Sequence, residues 1–490
     1  MLASCAEIIE AERRLFSSGV DPEPFMDEAG RLCTEAISHF FPVPAHAEVF
    51  CGKGNNGGDA LVVARLLKRA GWAVTLHCTH PSREMSPLSQ KKLAEWEAEP
   101  ASSARVSNRT ILVDGLLGIG AKGNLRSEIL EAARQINGLR QDRFATCFAI
   151  DIPSGLDADS GIPCPEAVIA DFTLSITVPK IGFVADSAIN HLGRIVEIPL
   201  DIPVEGADES RRFLFPSNLR PRLVRRTFDT HKGMAGRVTI FAGSRGLTGA
   251  ATLSALGASR SGAGLVTVCV PDSIYPLVVS QAPPEIMVKP IQSFSEVSDL
   301  KTDAFVIGPG LGTDLSPDLL EFLFEDPRPI IVDADALNAL AKNPARLPTL
   351  PGRRLLTPHP GEMQRLTGLP PDADRARLAT RFSEEWGVTL LLKGARTIIA
   401  TDGQILEFNT TGHPGMASGG MGDVLTGVCA ALVAGGHSLH DAACLGSWLL
   451  GRAAELTVNH RQIAAESISA PMVAESLGAA LLALQTPGSP

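Results

Sequence analysis

The segment AHAEVFCGKGNNGGDALVVARLLKRAGWAVTLHC, residues 45–78, is the clearest indication of the fold of this chain. AHAEVFC predicts a buried strand that ends in the glycine-rich stretch GKGNNGGD. ALVVARLLKRAG then predicts a helix with Gly71 as its C-cap, and WAVTLHC predicts the next strand. Two strands joined through a helix are typical of a parallel sheet.

The same alternation continues on both sides of this segment. Apolar residues near a period of 3.6 predict a helix over residues 8–40. Further on, RTILVDGLLGIG (109–120) and CFAIDIPSG (147–155) each predict an apolar strand followed by a glycine-rich or acidic turn. Such a parallel sheet is covered by helices on both faces, and its ligand is expected beyond the carboxyl ends of the strands.

A second α/β series begins after residues 203–228, which mix Pro, Glu and Arg without a sustained period. It starts with the predicted strand GRVTIFAGS (236–244), and a later glycine run leads into the long predicted helix GDVLTGVCAALVAGG (422–436). A length of 490 residues also favours more than one domain. We therefore expect two α/β domains, residues 1–210 and 213–490.

The composition excludes several classes of protein. Apolar residues make up 44% of the chain and charged residues 20%, which fits a soluble globular protein. A net charge of −10 and few aromatic residues argue against a nucleic-acid surface. The nine cysteines include no CxxC pair, so we expect buried thiols. Without a basic N-terminal region or an apolar stretch long enough to cross a bilayer, we expect a cytoplasmic homo-oligomer that binds small molecules and no membrane.

The glycine cluster after the first strand is a candidate binding loop. Gly52, Gly54 and Gly57 satisfy the pattern G-x-G-x-x-G, which is typical of dinucleotide binding. However, AVTLHCTH lacks the acid that such folds place about 20 residues on to hold a ribose hydroxyl. The full run offers two Asn amides, bare glycine backbone and Asp59, which could bind a phosphate and a cation. The alternative is a tight turn without a ligand.

Two more acids end predicted strands. Asp114 and Asp151 should reach the same crevice as the glycine loop, because the carboxyl ends of parallel strands meet at one edge. The turn that follows Asp151 also presents the hydroxyl of Ser154. Helix capping is the alternative for either acid taken alone, but with Asp59 the three acids indicate a functional crevice.

GHPGMASGGMGDVLTG, residues 412–427, is the most specific motif in the chain. Gly419, Gly420 and Gly422 place bare backbone N–H groups just before a long apolar helix, which suits a transferred phosphoryl group. Asp423 stands at the start of that helix and could accept a proton from a substrate hydroxyl. Its alternative role is that of an N-cap. No G-x-x-x-x-G-K-[ST] motif occurs, which disfavours a Walker NTPase.

The N-terminal motifs resemble a known family. GNNGGDA, VDGLLGIGAKG and AIDIPSGLDADSG look like signature segments of the NAD(P)H-hydrate epimerases, over roughly residues 5–205. The resemblance implies a Rossmann-like three-layer sandwich. It also implies, as substrates, NADHX and NADPHX, the 6-hydroxy adducts of NADH and NADPH. One departure is Ala60, where the family usually has Gly, and its methyl group could tighten the pocket.

The same resemblance implies the roles of individual residues. Asp151 would lie at the reactive ring as the catalytic residue, and Asn56, Asp114 and Ser154 would hold K⁺. The ring nitrogen can expel the C6 hydroxyl and water can return to the other face, so Asp151 could shuttle the proton. The implied substrate contacts are Asn55, Asn56, Gly57, Gly58, Asp59, Gly118, Ile119, Gly120, Ala121, Lys122, Gly123, Asn124 and Asp151.

The C-terminal glycine-rich motif resembles the ribokinase-like superfamily, in which its aspartate is the catalytic base. HKGMAGRVTIFAGSRGLTGAA, VIGPGLG, IIVDADALNAL, LTPHPGEM and LLKGARTIIA narrow the resemblance to the ADP- or ATP-dependent NAD(P)H-hydrate dehydratases, over roughly residues 225–460. Asp423 would then deprotonate the C6 hydroxyl, a phosphoryl group would be transferred to it with the help of Mg²⁺, and the ester would eliminate. ADP is the donor we expect, with ATP as the alternative.

This second resemblance implies two groups of contacts. The hydrated nucleotide would be contacted by Ala250, Gly312, His359 and Asp423. ADP or ATP would be contacted by Lys393, Gly394, Ala395, Arg396, Thr397 and Gly422. As alternatives, His359 could be a turn residue and Lys393 a solvated residue at a strand end. Asp335 and Asn338 could equally cap a helix and receive no role.

Three functional hypotheses follow. The first is a bifunctional enzyme that epimerises NAD(P)HX and dehydrates its S form. The second is a ribokinase-like small-molecule kinase fused to a nucleotide-binding module, which explains GGMGD but not HPGE and NNGGD together. The third makes the N-terminal half a binding module only, as in eukaryotic RNA-decay scaffolds with a related domain. The acids Asp59, Asp114 and Asp151, with Ser154, favour the first hypothesis over the third.

Overall fold

The computed structural model describes residues 1–100, 106–297, 299–313, 315–350, 353–370, 374–461 and 463–486. The chain divides into two compact units, Met1–Phe215 and Pro216–Ser489, here called unit 1 and unit 2. None of the helices in the described part of the chain is long and apolar enough to span a bilayer. All nine cysteines are free thiols, and seven are buried as expected, whereas Cys78 and Cys164 are not.

Unit 1 contains a six-stranded sheet in the order β2-β1-β3-β4-β5-β6, and every pairing is parallel. The predicted parallel sheet is therefore confirmed. Its strands are β1 (His46–Cys51), β2 (Ala73–Cys78), β3 (Thr110–Gly115), β4 (Thr146–Ile150), β5 (Phe172–Ile176) and β6 (Arg194–Ile198), and a further strand, β7 (Arg211–Leu214), ends the unit. Cys51 pairs with both Cys78 and Gly115, so the glycine loop and the end of β3 lie at the same edge.

Helices cover both faces of this sheet. They are α1 (Cys5–Ser17), α2 (Glu23–Phe40), α3 (Asn55–Arg69), α4 (Pro87–Ala98), α5 (Ser127–Asp142) and α6 (Ile189–Leu192). One apolar cluster joins α2 and α3 to one face, and another joins α5 to the opposite face. The arrangement is the three-layer sandwich that the sequence predicts.

The predicted single helix over residues 8–40 is wrong in one respect, because α1 ends at Ser17 and α2 begins at Glu23. Gly19 adopts a φ of +95°, a left-handed conformation that ends a helix. Pro22 lacks the N–H that a continuous helix would need and instead precedes the first turn of α2. The spacing of the apolar residues does not reveal this break.

Unit 2 has strands in the order β10-β9-β8-β11-β12-β13-β14-β15-β16. The pairings from β10 to β14 are parallel, whereas β14, β15 and β16 pair antiparallel, a feature that the sequence analysis did not predict. The strands are β8 (Arg237–Phe241), β9 (Leu265–Pro271), β10 (Met287–Ile291), β11 (Ala304–Ile307), β12 (Ile330–Val332), β13 (Arg354–Leu356), β14 (Thr389–Leu392), β15 (Ile398–Ala400) and β16 (Leu406–Asn409).

The helices of unit 2 include one pair whose close packing positions the glycine-rich motif. They are α7 (Pro216–Leu219), α8 (Thr248–Arg260), α9 (Tyr275–Gln281), α10 (Pro317–Glu325), α11 (Ala334–Ala341), α12 (Pro360–Thr367), α13 (Arg375–Trp386), α14 (Met421–Ala434), α15 (Leu439–Arg461), α16 (Ala470–Glu475) and α17 (Leu477–Gln485). A Cβ on Gly257 of α8 would lie 2.3 Å from the Val424 carbonyl oxygen, and one on Gly427 of α14 would lie 2.0 Å from that of Ser254. The two backbones therefore touch, and this contact fixes the start of α14.

Candidate active sites

The glycine loop of unit 1 leads directly into α3, whose N-cap is Gly54. A Cβ on Gly52 would lie 1.9 Å from the Leu116 carbonyl oxygen, and one on Gly57 would lie 2.0 Å from that of Gly52. Both glycines are therefore required by close backbone approach. The loop leaves the N–H groups of the first turn of α3 without intrahelical partners, which suits an anionic ligand.

Asp114 lies at the centre of a buried hydrogen-bond network. Its carboxylate accepts from the Ser154 N–H and hydroxyl at 2.7 Å each and from the Leu116 N–H at 3.1 Å. Burial raises the pKa of Asp114 to about 6, against these hydrogen bonds. The Ser154 hydroxyl in turn accepts from the N–H of Leu117, whose carbonyl accepts from Asn56 Nδ2 at 2.9 Å. The network thus brings together Asn56, Asp114 and Ser154, the three residues predicted to hold K⁺.

Asp151 follows β4 in a strained conformation, with a φ of +65°. Such a backbone costs roughly 1–3 kcal/mol for a residue other than Gly and is common at active sites. Its N–H donates to the Leu174 carbonyl at 2.8 Å, and its carboxylate accepts from the Ile176 N–H at 3.3 Å. The fully buried ammonium of Lys180 also donates to this carboxylate. Lys180 was missed by the sequence analysis, because only the tertiary structure brings it to Asp151.

The remaining predicted contacts in unit 1 differ in their surroundings. Burial, then Asp151 and Glu12, raise the pKa of Asp59 well above its ordinary range. A Cβ on Gly118 would lie 3.4 Å from Asn56 Cβ. The segment of residues 118–124 therefore begins beside the hydrogen-bond network of Asp114. Residues 119–124 are exposed or half-buried. Ala60 is fully buried, and a Cβ on Gly115 of β3 would lie 2.3 Å from the Ala60 methyl group. The methyl group therefore packs against the sheet.

In unit 2, an ion pair between a buried aspartate and a half-buried lysine joins the ends of two strands. Lys393, directly after β14, donates from Nζ to Oδ1 of Asp333, directly after β12, at 2.7 Å. Lys393 Nζ also lies 3.9 Å from Oε2 of Glu362. Neither Asp333 nor Glu362 was predicted from the sequence to be a site residue. An acid that ends the strand of IIVDAD is the same signal that singled out Asp114 and Asp151, and it could have identified Asp333.

The glycine-rich motif brings Asp423 to this ion pair. A Cβ on Gly422 would lie 3.3 Å from Lys393 Nζ and 3.7 Å from Asp333 Oδ2, so the start of α14 lies against both groups. Burial raises the pKa of Asp423 to about 6, with contributions from the charges of Asp333 and Asp335, while Lys393 opposes them. A carboxylate with this pKa is deprotonated at neutral pH and remains basic enough to accept a proton.

The other predicted substrate contacts surround this centre. The Gly312 N–H donates to Asp335 Oδ2 at 2.8 Å, and a Cβ on neighbouring Gly310 would lie 2.8 Å from the Ala250 methyl. The His359 side chain is half exposed and caps α12 by accepting from the Gly361 N–H at 3.0 Å. His359 thus performs the turn role considered from the sequence while its other ring nitrogen stays near Glu362, at 3.5 Å.

The predicted nucleotide loop, residues 393–397, has an unusual backbone. Gly394 has a φ of +152° and Arg396 a φ of +63°. Arg375 from α13 donates to the carbonyls of Ala395 and Arg396 at 3.3 and 3.4 Å. Burial, then Arg375, lowers the pKa of Arg396 to about 10. The loop begins at Lys393, whose Nζ would lie 3.3 Å from a Cβ on Gly422 at the start of α14.

These geometries define the class of each unit. Unit 1 is a Rossmann-like α/β domain with acids and a glycine loop at the carboxyl edge of its sheet. Unit 2 is a ribokinase-like α/β domain with a lysine, an aspartate of raised pKa and a glycine-rich helix start at the corresponding edge. Residues 22–182 match the family described as YjeF-related protein N-terminus, and residues 238–473 match the family described as NAD(P)H-hydrate dehydratase.

Full-length relatives combine the same two regions. The chain is 37% identical to the bifunctional NAD(P)H-hydrate repair enzyme of Moorella thermoacetica, over 94% of this chain and 93% of that protein. It is 34% identical to the enzyme of the same name from Coxiella burnetii, over 92% and 93%, and 34% identical to that of Escherichia coli K12, over 88% and 84%. This chain belongs to the family of bifunctional NAD(P)H-hydrate repair enzymes.

Solved structures resemble unit 2. The ADP/ATP-dependent NAD(P)H-hydrate dehydratase of Bacillus subtilis, co-crystallised with ATP and Mg²⁺, is 31% identical with a TM-score of 0.50, covering 56% of this chain and 98% of that one. A ribokinase-like superfamily protein of Enterococcus faecalis is 26% identical with a TM-score of 0.51, covering 57% and 98%. The ribokinase-like fold predicted for the C-terminal half is confirmed.

Proposed function

We propose that this protein repairs hydrated nicotinamide cofactors. It interconverts the R and S epimers of NADHX and NADPHX, and it dehydrates the S epimer to NADH or NADPH with ADP or ATP as the phosphoryl donor. The observation that carries this proposal is that one chain brings together two groups of the predicted site residues, one in each unit. In unit 1, Lys180 binds Asp151, and Asp114 binds Ser154. In unit 2, the start of α14, with Asp423, lies against the Lys393–Asp333 pair.

We assign the epimerase to residues 1–210 and the dehydratase to residues 213–490. The test is to express Met1–Phe215 and Pro216–Pro490 separately, cutting where the structure divides. We expect each fragment to be soluble, because each contains a run of adjacent parallel strands and many buried apolar residues. The first should convert R into S without a nucleotide, and the second should consume only S. Insoluble fragments, or a need for both fragments in either reaction, would contradict the assignment.

In the epimerase reaction, the ring nitrogen supplies the electron pair that expels the C6 hydroxyl. Asp151 gives a proton to this hydroxyl as the C6–O bond breaks, so that water leaves and a cationic ring remains. Water then adds to the opposite face, and Asp151 takes the proton back. The substrate contacts are assigned to the start of α3 and to residues 118–124, where N–H groups can hold the diphosphate.

We assign K⁺ to Asn56, Asp114 and Ser154. Amide, carboxylate and hydroxyl oxygens with one negative charge fit a monovalent cation better than Mg²⁺, which prefers more carboxylates. The structure supports the fit because Asn56 Oδ1 accepts no hydrogen bond from any residue that it describes, while Nδ2 is held by Leu117. A bound K⁺ would supply positive charge beside the anionic diphosphate.

The K⁺ assignment predicts a cation-dependent epimerase. Conversion of R into S should rise with K⁺ and fall when a bulky organic cation replaces K⁺ at constant ionic strength, which keeps screening equal. Dehydration of pure S epimer, measured in the same solutions, should respond differently because its site lies in unit 2. If Asp114→Ala leaves both the epimerisation rate and its response to K⁺ unchanged, these residues hold no cation.

In the dehydratase reaction, Asp423 accepts the proton of the C6 hydroxyl while the oxygen attacks the terminal phosphorus of ADP or ATP. The bond from phosphorus to the leaving nucleotide breaks as the new ester bond forms. Phosphate then leaves C6 while water accepts the proton from C5, and the C5–C6 double bond is restored. The N–H groups of residues 419–422 and the ammonium of Lys393 stabilise the transferred charge.

Mg²⁺ would accompany the nucleotide and neutralise part of its phosphate charge. The carboxylates of Asp333 and Glu362 adjoin Lys393 and are the kind of oxygen ligand that Mg²⁺ prefers, so the residues present fit the ion. We assign the nucleotide contacts to residues 393–397 and Gly422, and the substrate contacts to Ala250, Gly312, His359 and Asp423. ADP is the expected donor, and parallel assays with ADP and ATP test this preference.

A further inference from the structure

Lys180 is a buried cation that the proposed mechanism leaves unused. Its side chain is fully buried, and its ammonium donates to Asp151 Oδ1 and, at 3.0 Å, to the carbonyl of Ile176. The N–H of Ile176 donates to the same carboxylate oxygen at 3.3 Å. The Lys180 ammonium and the Ile176 N–H therefore bind the same oxygen of Asp151, whose side chain is 12% exposed.

The position of Lys180 is itself fixed by the N-terminal segment. The Ala3 N–H donates to the Pro179 carbonyl, and the Ile181 N–H donates to the Ala3 carbonyl, at 3.0 Å each. These bonds hold the backbone on both sides of Lys180. The Phe183 ring centroid lies 5.9 Å from its ammonium. A long side chain that is immobilised in this way presents its charge to Asp151 in one defined place.

The surroundings of this ion pair are acidic. Burial, then Asp151, raises the pKa of Glu12 in α1, while Lys180 opposes the rise. Burial, then Asp151 and Glu12, raises the pKa of Asp59 in α3. The ammonium of Lys180 therefore lies beside a group of carboxylates and balances part of their negative charge. Further titratable groups that face this region are Cys5 of α1, Cys33 of α2 and Asp159 after β4.

We propose that Lys180 is the positioning residue of the epimerase site, which fixes the direction of the Asp151 carboxylate and sets the pH range over which it transfers protons. Lys180 acts through Asp151, because its own side chain is fully buried. The inference rests on the proposed role of Asp151. It also explains how a strained aspartate at the end of β4 is held in one conformation.

The test compares three variants of the full chain, Lys180→Met, Lys180→Gln and Lys180→Arg, by the conversion of R into S across a range of pH. Without the positive charge, Asp151 should hold its proton to higher pH. We therefore expect the limb of the pH profile that Asp151 sets to move up by about 1–3 pH units in the Met and Gln variants, the usual effect of an adjacent opposite charge. The Arg variant keeps the charge, so its limb should stay near that of the wild type.

Several outcomes would overturn this inference. A limb that stays in place in the Met and Gln variants would show that the charge has no influence on Asp151. A limb that moves equally in the Arg variant would show that shape, and not charge, is the cause. If Lys180→Met fails to fold, Lys180→Gln decides, because its amide can still donate to Asp151. A wild-type protein that converts no R epimer would instead refute the proposed epimerase function, and dehydration of pure S epimer serves as the control.

Discussion

Asp423→Asn should abolish nucleotide-dependent dehydration of the S epimer. A neutral amide cannot accept the C6 hydroxyl proton, and loss of a general base lowers a rate by about two to four orders of magnitude. The residue lies in the first turn of α14, where an amide fits in the same space, so the fold should survive. The rate is measured as the absorbance of restored NADH. Asp318→Asn makes the same change at an exposed position in the first turn of α10 and should leave the rate unchanged.

The pH dependence of dehydration gives a second test of Asp423. Because its pKa is raised to about 6, the protonated and inactive fraction grows below pH 6, and the rate should fall there. Asp335 is one of the charges that raise this pKa. Asp335→Asn should therefore move the acid limb to lower pH, while its side-chain oxygen can still accept from the Gly312 N–H. An unmoved limb in this variant, with wild-type rates for Asp423→Asn, would remove Asp423 from the mechanism.

Asp151→Asn should stop the enzyme-assisted conversion of R into S while dehydration of pure S continues. The amide cannot exchange the proton that leaves and returns with the C6 hydroxyl, so we expect a loss of about two to four orders of magnitude. The two epimers are separated and quantified by chromatography. Asp142→Asn, at an exposed position at the end of α5, is the matched control. An equal loss of both reactions would indicate unfolding or coupled sites.

The sequence predicted the strands and their acids well, because local patterns specify them. Apolar runs predicted β1 to β4 in unit 1 and β8 in unit 2, and an acid at the end of such a run placed Asp114 and Asp151 at one edge. The predicted K⁺ residues meet in one network because β3 and β4 are adjacent. Gly52 and Gly57 of the first loop were also predicted from the sequence, and close backbone approach there admits no side chain.

What the sequence did not reveal depends on tertiary contacts. Lys180 follows β5 outside the recognised motifs, and only the folded chain brings it into contact with Asp151. Asp333 and Glu362 become part of the site because both lie near the ammonium of Lys393, which is 60 residues after Asp333 in the sequence. Gly19 and Pro22 cause the break between α1 and α2, and the spacing of the apolar residues does not reveal it. The antiparallel strands of unit 2 resemble parallel ones in composition.

Restoration of NADH from a mixture of both epimers shows whether the two activities reside in one chain. The full chain is incubated with an equal mixture of the R and S epimers of NADHX, Mg²⁺ and K⁺, and either ADP or ATP, and the absorbance of restored NADH is followed to completion. If both sites act in one chain, all of the NADHX returns to NADH, and omitting the nucleotide leaves an interconverting mixture. Recovery that stops at about half would show a dehydratase without an epimerase, and no recovery with either nucleotide would contradict the account.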